Sequence, residues 1–303
     1  MIRPWHLAVA LAVVCGGVIA TLEWASLSHR YDAAHMLGRL PLADSVKLWV
    51  DVDQLRSSGM LDLLAGSAAA EDPEYREFTR QIGFDYRTSL DGVAAAFHNG
   101  NVYFAVHGKF DFKKLVDYVH KQEGGSCQDV VCSLPASQPG RYVSFYPLDG
   151  QALALAFSGE PAGVRMVAPN PGTPPLNPSA PVWISAPGSA YSEFKHLPSG
   201  AQAFLSPLTE TRESAFSIGP AGSGLELHLD ATSASADSAL RLAAQLSSTT
   251  EELRKMIRLQ HMTPSAADLS GLLVSGRFEA HDVHVTGVWP LERKLLESLF
   301  TGK

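Results

Sequence analysis

Two spacings of hydrophobic residues divide this chain into elements. Val46, Leu48, Val50 and Val52 alternate with Lys47, Trp49 and Asp51, the period-two mark of a half-buried strand. Asp53 follows, where a helix N-cap belongs, ahead of Leu55, Leu61 and Leu64. Asp72-Pro73 predicts a second helix start. Residues 92–98 and 102–108 read as strands joined by Asn99-Gly100, the strongest short hairpin signal. Asp111 then caps a helix with Phe112, Leu115, Val116 and Val119 on its apolar face, ended by Gly124-Gly125. Residues 142–148 and 152–157 form a further antiparallel pair about Asp149-Gly150.

Residues 169–181 read PNPGTPPLNPSAP, and six of these thirteen are Pro. Neither a helix nor a sheet interior tolerates that density, so the segment is an extended, semi-rigid linker. Beyond it the pattern predicts strands at 182–186, 201–205, 215–218 and 225–229, and a short helix at 191–196. A long helical region spans 236–260, with a capping-box pattern at Ser248, Thr249, Glu251 and Glu252 that would split it in two. A hairpin at 272–278 and 283–289 and a last helix at 291–300 complete the reading. Segments 102–119 and 283–300 share an order of strand, turn and amphipathic helix, and 225–242 fits it more loosely. The expected fold is therefore α+β: an N-terminal transmembrane helix, then two similar halves, each a mostly antiparallel sheet with helices packed on one face. The predicted divisions are 1–25 (anchor), 26–43 (tether), 44–168 (first half), 169–181 (linker) and 182–303 (second half).

The anchor rests on residues 7–22, which carry no charge and are bracketed by Trp5 and Trp24. A helix of that length matches one hydrocarbon core, and tryptophan suits both interfaces. Arg3 before the run and Glu23 after it place the N-terminus inside and the remainder outside the cytoplasm. The competing reading is a signal peptide cleaved near Ala20. Either way the expected location is the cytoplasmic membrane or its outer side. Cys15 lies in the apolar run, leaving Cys127 and Cys132 to close a disulfide loop in an oxidising compartment.

The segments LPLADSVKLWVDVDQL (40–55) and CSLPASQPGRYVSFYPLDG (132–150) resemble parts of uncharacterised, membrane-anchored bacterial proteins. That resemblance implies an exported α+β protein and carries no active-site residues.

Charge narrows the function classes. The chain has 24 Lys and Arg against 31 Asp and Glu, a formal net charge of −7, with no basic stripe. Nucleic acid is excluded as a partner, because phosphate neutralisation needs clustered cations. The Gly219, Gly222, Gly224 stretch runs into a strand rather than a helix and reads as a hairpin turn, not a phosphate cradle. Ser192-x-x-Lys195 matches one motif of penicillin-recognising serine enzymes, but the partner motifs are absent. His281-Asp282-Val283-His284, read as strand, points its two histidines to opposite faces. Asp282 and His284, with His228, would be needed for a metal, and a solvated polar face accounts for them more simply. Asp51 and Asp53 share a strand face, but a cap at Asp53 accounts for that pair. No cofactor, metal or catalytic residue is predicted.

The strand positions opposite the aliphatic ones are more informative. Trp49, Tyr103, His107, Tyr142 and Tyr146 fall on that side, with Asp51 and Ser144, and form a candidate binding face, since aromatic residues are enriched at interfaces. The functional expectation is a non-catalytic binding module of the cell envelope with a protein or glycan partner. An exported hydrolase with scattered catalytic residues, or a structural subunit of an envelope complex, are the alternatives.

Overall fold

The computed structural model describes residues 31–41, 43–61, 73–172, 178–193, 199–222, 224–259, 264–265, 269–292 and 295. The apolar run at 7–22 and most of the predicted last helix lie outside them. Among the described residues no helix is long and apolar enough to cross a membrane.

Twelve strands make one antiparallel sheet: β1 (Val46–Asp51), β2 (Leu90–His98), β3 (Asn101–Gly108), β4 (Ser126–Gln128), β5 (Val131–Pro135), β6 (Tyr142–Pro147), β7 (Ala152–Ser158), β8 (Val182–Pro187), β9 (Glu213–Ala221), β10 (Gly224–Thr232), β11 (Arg277–His281) and β12 (His284–Leu291). Their order is β11-β12-β10-β9-β8-β1-β2-β3-β7-β6-β5-β4. The α+β class is thus as expected. The two half-sheets, however, are continuous, because β1 and β8 pair with Trp49 opposite Trp183 and Leu48 opposite Ile184. Outward from this seam the spatial order is β1-β2-β3-β7-β6 on one side and β8-β9-β10-β12-β11 on the other. The same winding therefore occurs twice. In it β3 and its following helix correspond to β10 and its helix, the looser of the two sequence matches.

The helices are α1 (Ala33–Leu37), α2 (Val52–Ser57), α3 (Pro73–Ile82), α4 (Tyr86–Ser89), α5 (Phe112–Lys121), α6 (Ser199–Leu205), α7 (Ala236–Leu259) and α8 (Leu269–Ser275). One sheet face, carrying Val50, Val93, Leu153, Leu155, Leu229 and Val285, packs against α2, α5 and the α6–α8 group. Phe112, Leu115, Val116 and Val119 of α5 meet Phe145 and Leu153 there, as their spacing predicts.

The other face is the surprise. On the first half Ala94, Ala96, Ala105, Ala154 and Ala156 form a fully buried small-residue stripe. Against it lie α1 and the 3-10 turn Gly163–Met166, with Met36 and Leu37 wholly enclosed. Residues 33–37 are therefore part of the fold and not of a tether, and helices cover both faces of the first half. Alanines make this close approach of helix to sheet feasible. Asp32 caps α1 by accepting from the His35 amide at 2.9 Å. Both ends of the Pro-rich linker are bonded to this half: the Gly172 amide donates to the Gly38 carbonyl at 2.7 Å, and the Asp51 amide to the Pro181 carbonyl at 2.7 Å.

Four local readings are corrected. Asp51, not Asp53, caps α2, accepting from the Gln54 amide at 2.8 Å. Residues 201–205 belong to helix α6 and 272–275 to helix α8, so the last hairpin is β11–β12 alone. Runs this short and apolar fit either period, and their packing decides. The segment 236–259 is one unbroken helix, and Thr249 of the capping-box pattern bonds its hydroxyl back to the Gln245 carbonyl at 3.0 Å instead of capping a break. Asn99 and Gly100, both at positive φ, form the expected hairpin turn. Cys127 and Cys132 are disulfide-bonded and pair across β4 and β5.

The seam carries an ion pair with a buried lysine and a half-buried carboxylate. Lys47 on β1 is 8% exposed, and its Nζ lies 2.7 Å from Glu213 Oε1 on β9. Ser185 on β8, opposite Lys47, also donates to Glu213. Burial pushes the Glu213 carboxyl up, but the hydrogen bonds from Lys47 and Ser185 and the lysine charge outweigh it and hold it below the usual range.

Two outcomes test this arrangement. Met36→Ala is expected to cost about 2–4 kcal/mol in urea unfolding, whereas a residue in a tether would cost nothing. A depressed carboxyl stabilises above its unfolded value and loses that contribution as pH falls through the folded one. Glu213→Gln should therefore remove part of the acid lability below about pH 4.5, of order 1 kcal/mol because the carboxylate is partly solvated.

Candidate functional site

One row of the sheet places Asp51, Gly92 and His107 side by side on β1, β2 and β3. They line an open cleft of about 920 Å³ on the face that α1 covers. The first turn of α2, the stretch before α1 and residues 178–180 of the linker form its walls. Both the first half and the linker into the second thus contribute.

Its floor depends on a glycine. A Cβ at Gly92 would stand 2.9 Å from the Trp49 ring, so only glycine lets the indole lie across β2. Tyr31 stacks on His107 with ring centroids 3.9 Å apart and planes 7° apart, and its hydroxyl donates to Asp149 at 2.9 Å. Burial lowers the His107 pKa, against the opposing charges of Asp91 and Asp149 and a hydrogen bond with Gln151. The imidazole is therefore neutral at neutral pH.

The charged wall is pinned. Arg56 Nη1 lies 2.9 Å from Asp53 and 3.3 Å from Asp91, its Nε donates to the Arg87 carbonyl at 2.7 Å, and Nη2 donates to the Leu90 carbonyl. Asp32, Asp51, Asp53 and Asp91 against Arg56 and Lys109 leave the ionisable lining at −2, four carboxylates less two cations, with His107 neutral. Such a cleft suits donors of hydrogen bonds and cations and repels anions.

The five aromatic and histidine positions singled out in the sequence do not form one open surface. Trp49 and His107 meet in the cleft. Tyr103 is 5% exposed and packs with α1. Tyr146 is half-buried; its hydroxyl donates to the Val167 carbonyl at 2.6 Å, and burial raises its pKa against the charges of Arg39 and Arg165. Tyr142, half-buried, pairs with Ser158 at the far end of β6 and β7. Ser144 is sealed, accepting from the Val164 amide at 3.1 Å. The cover is α1, which sequence alone assigns to a tether, and the 163–166 turn, to which it assigns no element. Tyr31, Arg56, Asp91, Lys109 and Gln151 escaped the reading. Only the Asp53-x-x-Arg56 spacing on one helix face hinted at the charged wall.

The remaining motifs resolve simply. Gly222 sits at φ 57° in the turn between β9 and β10, the hairpin expected. Ser192 Oγ donates to the Ser189 carbonyl at 2.8 Å, and Lys195 lies outside the described residues. Asp282, at φ 53°, is in a turn and not in a strand. His281 and His284 are consequently register partners on the same face, contrary to the strand reading. His284 Nδ1 lies 3.4 Å from Asp230, and His228 Nε2 lies 3.2 Å from Glu226. Among the described residues no three His, Cys, Asp or Glu side chains gather as metal ligands.

No protein-family model matches the chain, and no curated protein matches it. Solved structures of TP0453 are similar. Crystal form III aligns with a TM-score of 0.52 at 9% identity, over 88% of this chain and 98% of that one. Crystal form IV aligns at 0.49 and 10% identity, over 88% and 96%. At such identity the likeness with form III concerns the fold alone.

A histidine whose pKa burial depresses favours the unfolded state as soon as that state takes up a proton. Stability should therefore fall as pH drops from about 6.5 towards the folded value, and His107→Gln should flatten that limb. Denaturant unfolding at pH 7.5, 6 and 5 for both proteins checks it; parallel curves would refute the buried imidazole.

Proposed function

We propose that this protein is a membrane-anchored, extracytoplasmic binding module of the cell envelope that acts without catalysis, and that the Asp51–Gly92–His107 cleft takes its partner. The anchor is the uncharged run at residues 7–22. Export is supported by the Cys127–Cys132 disulfide, since such bonds persist in oxidising compartments. The observation that carries the reading is the cleft itself. Its polar groups are held by structural bonds: Asp51 by the α2 cap, Arg56 by two carbonyls and two carboxylates, Tyr31 by Asp149. A pre-organised set of acceptors beside aromatic rings binds without reordering.

The partner chemistry that fits is neutral or cationic and rich in hydrogen-bond donors, which favours an envelope glycan. His228 and His284 lie outside this cleft, with side chains about half exposed, whereas a deep pocket gathering them with Asp282 would have favoured a hydrolase. The test places a photo-crosslinker at Lys109 or Gln151 in the full-length protein in its native membrane, with Leu240 on α7 as control. Capture of glycan from the first two positions only is expected. Capture of none, together with turnover of an envelope substrate by the purified protein, would overturn the proposal in favour of an exported hydrolase.

A further inference from the structure

The opposite sheet face holds a second feature, in the other half of the molecule. Between the sheet and α6, α7 and α8 lies a partly open pocket of about 140 Å³ whose lining is wholly aliphatic and aromatic, including Phe204, Leu208, Phe216, Leu229, Leu246 and Trp289. Protein interiors are packed as densely as organic crystals, and voids larger than a water molecule are few. Walls this apolar do not give an ordered water the two to four polar partners it needs. The one polar atom among its lining side chains is Trp289 Nε1, which has no hydrogen-bond partner. It lies against the backbone of Gly276, where an added Cβ would come within 2.6 Å of it. Engineered dry cavities of about 150 Å³ with Leu, Ile and Phe walls take up benzene.

The cavity adjoins a way in. A groove of about 250 Å³ runs between α6, α7 and α8; its lining includes Leu253, Met256, Ile257, Leu273 and Val274, with Gly200 and one polar side chain, Ser270. Leu273 lines both spaces. Gly200 leaves room beside it: a Cβ there would stand 3.1 Å from Leu273 Cδ1. A further space of about 240 Å³ flanks α8 and shares Leu272 with the cavity. The seven-residue α8 thus has open volume beneath it and on both flanks. Met256, half exposed beside the entrance, is the unbranched, polarisable side chain that adapts to varied apolar shapes. Cavity and groove together reach the range of small-molecule sites, about 300–1,000 Å³.

We infer that the second half contains a binding site for an uncharged apolar organic group, seated among Phe204, Leu246 and Trp289 and admitted by rotation of Leu273. It shares no residue with the Asp51–Gly92–His107 cleft and does not depend on that cleft's role. The group is either a free molecule of one-ring size or the hydrocarbon end of a longer one whose stem lies in the groove.

The experiment titrates the full-length protein with benzene, following the methyl resonances of Leu246 and Leu273, and repeats the titration with decanoate present. Saturable shifts at both residues are expected, with a rise in melting temperature of about 2 °C or more. Competition by decanoate identifies the hydrocarbon end of a longer ligand, and its absence a free small molecule. Ala201→Leu fills the cavity and should weaken benzene binding at least tenfold. Gly200→Ala, which helix α6 tolerates, should slow exchange by crowding Leu273, and serves if the first variant is poorly folded. Non-saturable shifts in the folded wild-type protein, or binding untouched by both variants, would overturn the inference.

Discussion

The pairing of β1 with β8 is the constraint from which the rest of the molecule follows. Each half winds outward from one of these strands, and each alone would leave that strand as a free edge open to other chains. Joined, they make the centre of a twelve-stranded sheet. The join is specific because Lys47 is buried at it. An ammonium removed from water needs a partner, and Glu213 on the far side of β8 supplies one, steadied by Ser185. No other register of β8 on β1 brings Ser185 opposite Lys47 and Trp183 opposite Trp49.

That seam also shapes the cleft. Because β8 lies beside β1, the end of the linker is tied at Asp51. Residues 178–180 thereby become a wall for side chains that belong to the first half. The linker is also bonded to the end of α1 through Gly38, so the helix that roofs the alanine stripe and the linker beside the cleft hold each other in place.

The repeated winding has been used differently on the two sides. In the first half a short helix covers the second sheet face and leaves one polar opening at its margin. In the second half Glu226, His228, Asp230, Thr286 and Glu279 stand on that face in solvent, and the unfilled volume lies on the other side, under α8. Two halves with one strand order thus carry openings of opposite polarity on opposite faces.

The sequence by itself determined what depends on near neighbours. Period-two runs located β1, β2, β3, β6 and β7; Asn99-Gly100 set a hairpin; Asp111 set a helix start; and the five-residue separation of Cys127 and Cys132 set the disulfide. Each follows from backbone geometry or short-loop closure. Tertiary structure decided the role of residues that short-range patterns leave neutral. Five residues around Met36 are too short a run to declare a helix, and only the alanine stripe from β2, β3 and β7 makes them one. Asp51 or Asp53 could cap α2 by spacing alone, and the end of β1 at the seam chose Asp51. His107 and Tyr103 share one face of β3, yet His107 borders the cleft and Tyr103 is sealed, because burial is set by what arrives from distant chain and period two says only which side a residue faces.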